Sequence, residues 1–259
     1  MRMQGQVAVV TGAASGLGRS IAMRYAAEGA AVVVADLDAG AGRAVVEAIE
    51  KAGGRGLAIA MDVTDEAAVD RGVAATMETF GRLDVMVSNA GIQIVHPVEE
   101  FSFAEWRRMM SIHVDGAFLV TKASLPHMYA QGSGSLIYMG SVHSKLASPL
   151  KAPYVAAKHA LIGLARTVAK EGGKRGVRAN VICPGFVRTP LVEKQIPEQA
   201  AAFGISEAEV VQKIMLKDTV DGEFTSLDDV AEVAVLFASF PSNALTGQSL
   251  IVSHGWHME

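Results

Sequence analysis

The stretch QVAVVTGAASGLGRSIAMRYAAEG, Gln6–Gly29, decides how the rest of the chain is read. A short apolar, β-branched run stops at a loop holding Gly12, Gly16 and Gly18, and a segment of helical period follows. That order sets a helix start at the end of a buried strand. Glycine lets the backbone turn tightly and approach an anion with no Cβ in the way, and the helix start offers free N–H groups and partial positive charge. The loop reads as a phosphate cradle; the plainer alternative is a strand–helix turn with no ligand.

The same alternation continues along the chain. Strand-like runs recur at AAVVVADL, GLAIAMDV, LDVMVSNAG, GSLIYMGS, VRANVICPG and QSLIVSHG, and helical patterns separate them. Continuous apolar strands alternating with helices predict an α/β fold: one Rossmann-type, doubly wound parallel sheet of about seven strands with helices on both faces. No internal repeat or linker interrupts it, so residues 1–259 read as one domain. A long helical region from Ser102 to about Met128 is expected to break near Asp115–Gly116. Between Pro184 and Leu227 no strand pattern occurs, only helical patches such as SEAEVVQKIM, and about 186–222 reads as a flap beside a site.

Composition narrows the function. Half of the 259 residues are hydrophobic, 19% are charged and the formal net charge is −4, which favours neither nucleic acid nor an acidic membrane as partner. No apolar run reaches the ~18 residues of a membrane helix. The opening MRMQGQVAVV predicts no secretory leader, and the one cysteine, Cys183, permits no internal disulfide and no metal-type Cys/His spacing. A cytoplasmic setting and no bound metal are the expectation.

Asp36 closes the second strand. A carboxylate there accepts ribose hydroxyls and repels a 2′-phosphate. No Arg or Lys stands at Ala13, Ala14, Ser15, Leu37 or Asp38 to offset that repulsion, and Arg19 is the one nearby cation, so NAD is expected over NADP. A solvated strand end is the plainer reading of Asp36.

Tyr154 and Lys158 lie four apart in a helical pattern, and so on one face. A phenol titrates near 10, too high for a base at neutral pH, and a close ammonium is expected to lower it into a useful range. Ser141, after the fifth strand, is placed to hold a substrate oxygen. Such a Tyr/Lys spacing also occurs by chance on exposed helices.

The joint order is more specific. TGAASGLG, NAG at Asn89–Gly91, Ser141, Tyr154-x-x-x-Lys158 and PG at Pro184–Gly185 together resemble the short-chain dehydrogenase/reductase family over essentially the whole chain. The resemblance implies hydride transfer between a nicotinamide and a carbonyl or alcohol carbon. Tyr154 would be the acid/base, Lys158 would also bind the nicotinamide ribose, and Ser141 would orient the substrate. Gly12, Ser15, Gly16, Leu17 and Gly18 would hold the cofactor phosphates. Asp62 and Val63 would flank the adenine, Asn89, Pro184 and Val187 would line the cleft, and Thr189 would meet the carboxamide. For Asp62 the alternative is a cap on the helix that starts DEAAVD. The chain departs from the family at His113, where an Asn usually helps hold a water of a proton relay. His113 is expected to hold that water by its ring N–H or to shuttle protons itself.

Gln93, His143, Lys151 and Gln195 are polar and fall near the carboxyl ends of the strands, where open α/β sheets bind ligands. They fit a small anion with Lys151 facing a carboxylate, and equally fit a polar cleft rim. The stretches SVHSKLASPLKAPYVAAKH, NAGIQ, TPLVEKQI and NALTGQSLIVSHGW resemble those family members that oxidise (R)-3-hydroxybutyrate, one of the ketone bodies, to acetoacetate. In them the matching four residues hold the substrate carboxylate. Phe186 stands where they often carry Trp, which keeps an apolar wall of altered size. The alternatives are a dehydrogenase for a neutral alcohol or ketone, and a non-catalytic NAD(H)-binding regulator. The resemblance also implies a homotetramer, and the apolar stretches Phe118–Met128 and Ala152–Glu171 can supply its interface or pack on the sheet.

Overall fold

The computed structural model describes residues 1–259. Seven strands form one parallel sheet: β1 (Val7–Thr11), β2 (Ala31–Asp36), β3 (Arg55–Ala60), β4 (Val85–Ser88), β5 (Gly134–Met139), β6 (Val177–Pro184) and β7 (Ser249–Val252). Their spatial order is β3-β2-β1-β4-β5-β6-β7. The order reverses between β1 and β4, and at that switch the following segments part to opposite faces and leave a crevice.

Alternation along the strands divides the core. Ala8 and Val10 of β1 pack with α1 (Gly16–Ala27), α2 (Ala39–Lys51) and α9 (Leu227–Ser239) on one face. Val9 packs with α3 (Glu66–Phe80), α5 (Gly116–Gln131) and α6 (Ala152–Gly172) on the other. Both faces are covered, which is why the strands read as unbroken apolar runs rather than as alternating ones.

The break expected near Asp115–Gly116 is not a break. α4 (Phe103–Met110) runs through one π-helical turn, Ser111–Asp115, directly into α5. The widened turn carries His113 on the buried side of the helix.

The flap is more regular than its sequence suggests. It contains α7 (Pro190–Phe203), α8 (Glu207–Val210) and a second π-helical turn, Val211–Met215. Pro190 begins α7, where its missing N–H costs nothing, while Pro197 inside the helix obscures the helical pattern. Val192, Ile196, Val210 and Met215 give this region a small core of its own.

Candidate active site

A cavity of about 600 Å³ opens at the carboxyl ends of β1, β2, β4, β5 and β6. At one end lies the glycine loop. Gly12 holds φ +62°, and a Cβ on Gly18 would fall 2.2 Å from the Gly12 carbonyl oxygen, so both positions require glycine. Gly12, Ser15, Gly16 and Leu17 line the cavity; Gly18 does not, and serves the close packing of loop on helix. Ser15 precedes α1 without capping it through its side chain, which leaves the first-turn N–H groups for another acceptor. Asn89 lines the same end and braces it, its Nδ2 donating to the carbonyls of Thr11 at 2.8 Å and Gly12 at 3.2 Å.

Asp36 accepts from the Ala14 N–H at 2.9 Å and the Asp38 N–H at 3.1 Å, which fixes its carboxylate at the cavity edge with lone pairs to spare. Asp62 does not cap the helix after it. It accepts from the N–H and hydroxyl of Thr64, and Asp65 caps α3 instead. Asp62 and Val63 are thus left lining the cavity beside Asp36. A glycine cradle at an uncapped helix start, with a fixed carboxylate beyond it, suits the pyrophosphate and adenosine ribose of a nicotinamide dinucleotide.

The middle of the cavity gathers the proton-handling groups. Lys158 and Tyr154 project from α6, Ser141 starts the 3₁₀ turn after β5, and His113 comes from the π turn. The His113 ring meets the Tyr154 ring edge-on, centroids 5.5 Å apart. Lys158 donates to the Met139 carbonyl at 2.6 Å and stands 5.3 Å from the centre of the Tyr154 ring.

The electrostatics differ from the expectation for this pair. Burial pushes the Tyr154 phenol up to about 12, against a smaller opposing pull from the Ser141 hydroxyl. Burial also lowers Lys158 to about 8. Two desolvated groups each resist charging, and the ammonium is committed to a carbonyl, so proximity alone does not create a phenolate. Tyr154 holds its proton at neutral pH.

His113 also departs from one expected role. Burial, then the Lys158 charge, lowers it to about 3, so the ring is neutral and does not shuttle protons by ionising near pH 7. Its Nε2 faces both the Ile92 carbonyl at 2.8 Å and the Ile92 N–H at 3.2 Å; the shorter contact needs the ring proton on Nε2, and in that tautomer Nδ1 is a bare acceptor, buried and without a partner. Water held by His113 would therefore donate to Nδ1, rather than accept from the ring N–H.

At the far end lie Gln93, His143, Lys151 and Gln195, all buried. Burial alone lowers Lys151 to about 8, with no carboxylate acting on it, and its ammonium lies 4.8 Å from the centre of the Phe186 ring. His143 is held neutral, lowered to about 3 by burial first and then by Lys151. Its Nδ1 stands 3.3 Å from the Ser141 hydroxyl, while its Nε2 is buried and unpartnered. Gln93 and Gln195 each donate one amide hydrogen to a backbone carbonyl, of Ile94 and Leu191.

Pro184, Val187 and Thr189 complete the lining between the two ends, and the Thr189 hydroxyl accepts from the Val192 N–H at the start of α7. One residue of the wall was not legible beforehand. Trp256, four positions after the last strand residue, stacks on Phe186 with centroids 4.9 Å apart and planes 8° from parallel. Its position past the carboxyl end of β7 is the one signal in the sequence that could have found it.

Residues 6–200 match the family model described as short chain dehydrogenase. The chain is 37% identical to the D-beta-hydroxybutyrate dehydrogenase of Rhizobium meliloti over 253 residues, covering 97% of this chain and 98% of that protein. It is 34% identical to the protein of the same name from Cupriavidus necator over 258 residues, covering 98% of each. It is also 33% identical to a D-threitol dehydrogenase of Mycolicibacterium smegmatis over 255 residues, covering 98% of this chain and 94% of that protein.

Proposed function

The chain belongs to the short-chain dehydrogenase family, and from that premise we propose that it interconverts (R)-3-hydroxybutyrate and acetoacetate with NAD. The observation that carries this reading is the placing of two buried, unpaired nitrogens, the Lys151 ammonium and His143 Nε2, at one end of the cavity with no acidic partner; Nε2 donates when the Ser141 hydroxyl donates to Nδ1. A buried cation without a counter-ion is costly, and a small carboxylate relieves that cost. The two relatives named for hydroxybutyrate agree with an acid as substrate, and their names supply the D configuration.

In this reading Lys151, His143, Gln93 and Gln195 bind the carboxylate. Phe186 and Trp256 wall the carbon chain and limit its length. Ser141, its hydroxyl shared with His143 Nδ1, orients the C3 oxygen. Tyr154 holds the proton exchanged with that oxygen, while Lys158 sustains the polarity around the phenol and helps seat the ribose. His113 holds a relay water through Nδ1. Asp36 favours NAD, since a 2′-phosphate beside its fixed carboxylate would be repelled. The nicotinamide, when bound, accepts or returns the hydride at C3. A neutral, protonated Tyr154 is the form that reduction of acetoacetate uses; oxidation uses the deprotonated form and is favoured by alkaline solution.

As part of this reading the chain acts in the cytoplasm as a homotetramer, in which Phe118 on α5, 52% exposed in the single chain, would be covered.

The test is NADH formation with each enantiomer of 3-hydroxybutyrate, run with NAD and then NADP, with the methyl ester of the acid as control. The (R) acid with NAD is expected to be turned over and the ester at least tenfold less well. Equal turnover of acid and ester would remove the carboxylate assignment and favour a neutral alcohol, as in the threitol-named relative.

A further inference from the structure

The chain beyond β7 makes a turn that the cavity alone does not require. His254 holds φ +50°, in the left-handed region that a residue with a Cβ seldom adopts, and Gly255 follows at +72°. The two residues swing the chain so that Trp256 lands on Phe186. His143 meets both rings edge-on, at 5.5 Å from Trp256 and 6.3 Å from Phe186.

The turn closes on itself, the Trp256 N–H donating to the Ser253 carbonyl at 3.0 Å, and the side support for His254 comes from the distal end of the flap. The Val220 N–H donates to the His254 carbonyl at 2.8 Å. His254 Nδ1 pairs with Asp221 Oδ2 at 2.6 Å. Gly255 backs so closely onto Val220 that a Cβ there would fall 2.7 Å from Val220 Cγ1. Asp229 of α9 is the other carboxylate that feels His254, but it is committed to the N–H and hydroxyl of Ser226. The flap is thus tied to the C-terminal segment at both ends: Phe186 by stacking at its start, Val220 and Asp221 by backbone and side-chain hydrogen bonds at its finish. Neither Asp221 nor His254 lines the cavity.

We propose that Asp221 and His254 are positioning residues: their pair fixes the left-handed turn that seats Trp256, and so sets the aromatic wall that selects substrate chain length. The selectivity part rests on the hydroxy-acid reading of the cavity; the seating of Trp256 does not. An exposed side-chain pair of this kind adds little to stability on its own. Here its consequence is local, because it offsets the strain of one backbone conformation next to one cavity residue.

The test uses the full chain with Trp106→Phe, which leaves Trp256 as the one remaining tryptophan. Asp221→Asn and His254→Gly are compared singly and together. His254→Gly removes the backbone strain along with the pair, so loss of the pair is separated from misfolding. Acrylamide quenching of Trp256 is expected to rise at least twofold in Asp221→Asn, and Asp221→Asn is expected to add nothing further in the His254→Gly background. Asp221→Glu is expected to restore most of the protection. With 3-hydroxy acids, Asp221→Asn is expected to raise KM about fivefold and to shift kcat/KM toward 3-hydroxypentanoate at least threefold, with kcat and the dissociation constant for NADH within twofold of the parent. Unchanged quenching in both single variants would overturn the proposal. Altered quenching with an unchanged KM and chain-length ratio would overturn its selectivity part. A parent chain inactive on every 3-hydroxy acid would overturn the substrate reading alone, since quenching still decides the role of the pair.

Discussion

Lys158 spends its ammonium on the Met139 carbonyl, 2.6 Å away, while standing 5.3 Å from the centre of the Tyr154 ring. The lysine is therefore anchored to β5, with its ammonium over the Tyr154 ring and bonded to a backbone carbonyl rather than to the phenol. With Tyr154 raised to about 12, the phenolate fraction grows about tenfold per pH unit through the neutral range. Hydroxy-acid oxidation is expected to accelerate from pH 6 to 8, with log kcat climbing by up to about one per pH unit where proton transfer limits the rate. Acetoacetate reduction is expected to stay nearly level over the same range. Tyr154→Phe is expected to lower kcat in both directions by at least ~10³-fold and to leave NADH binding intact. Full-speed turnover by that variant, followed at 340 nm, would refute the assignment of the proton to Tyr154.

Lys151 sits in a comparable environment with a different consequence. Its charge is lost above about 8, so kcat/KM for the hydroxy acid is expected to fall above that pH through a rising KM. The same burial has a stability signature. Displacement from the ordinary 10.5 to about 8 corresponds to about 3 kcal/mol against folding while the lysine is charged in both folded and unfolded chains. The sign follows: the penalty is complete below about 8 and is relieved between about 8 and 10.5, where the folded chain releases its proton first. Lys151→Met is expected to raise Tm at pH 7 by on the order of 5 °C, to lose that advantage toward pH 10, and to raise KM for the acid at least a hundredfold. Calorimetry at the two pH values, beside steady-state kinetics, checks both halves. A lower Tm at pH 7 would show that the ammonium has a partner that stabilises it.

The strand–glycine–helix opening and the order of apolar runs made the sheet legible, because a sheet covered on both faces leaves unbroken hydrophobic strands. Individual chemical groups were legible for a related reason: residues at strand carboxyl ends converge whatever the intervening lengths. Charge states were not. Spacing places Lys158 on the Tyr154 face of α6, but only the three-dimensional packing shows that Lys158 is buried, that Tyr154 is half-buried at the cavity wall, and that Met139 takes the ammonium. Asp62 and Asp65 look alike in DVTDEAAVD, and the backbone angles at Asp65 decide which of them caps α3. Trp256 depends on a two-residue left-handed turn that no periodicity encodes.

Asp36 gives a discrimination test. Its carboxylate is pinned by the Ala14 and Asp38 N–H groups, so it cannot swing away from a 2′-phosphate without breaking both bonds. Asp36→Ala is expected to lower the NAD-to-NADP ratio of kcat/KM by at least tenfold, mostly through weaker NAD binding. Leu37→Arg added to it is expected to invert the preference, since Leu37 also lines that end of the cavity and is well exposed. An unaltered ratio in Asp36→Ala would place cofactor selection elsewhere.

His113 supplies the remaining test, because its ring does two separable things. It packs: the ring lies edge-on to Tyr154, and its Cε1 occupies the space that a Cβ on Gly91 would enter at 2.5 Å. It also presents Nδ1, an acceptor with no protein partner, while Nε2 is tied to Ile92. His113→Phe keeps the packing and removes both nitrogens; His113→Asn keeps a polar group but loses the ring. If Nδ1 holds a relay water, His113→Phe is expected to cut kcat about 10²-fold, within the range for assisted proton transfer, and to enlarge the solvent deuterium isotope effect. His113→Asn is expected to recover at least tenfold of that loss, since a carboxamide can hold water. Because the ring is already neutral near pH 7, neither variant is expected to remove a titration from the profile between pH 5 and 8. Equal kcat and equal isotope effects in the parent and both variants would leave His113 a packing residue and move the relay off this helix.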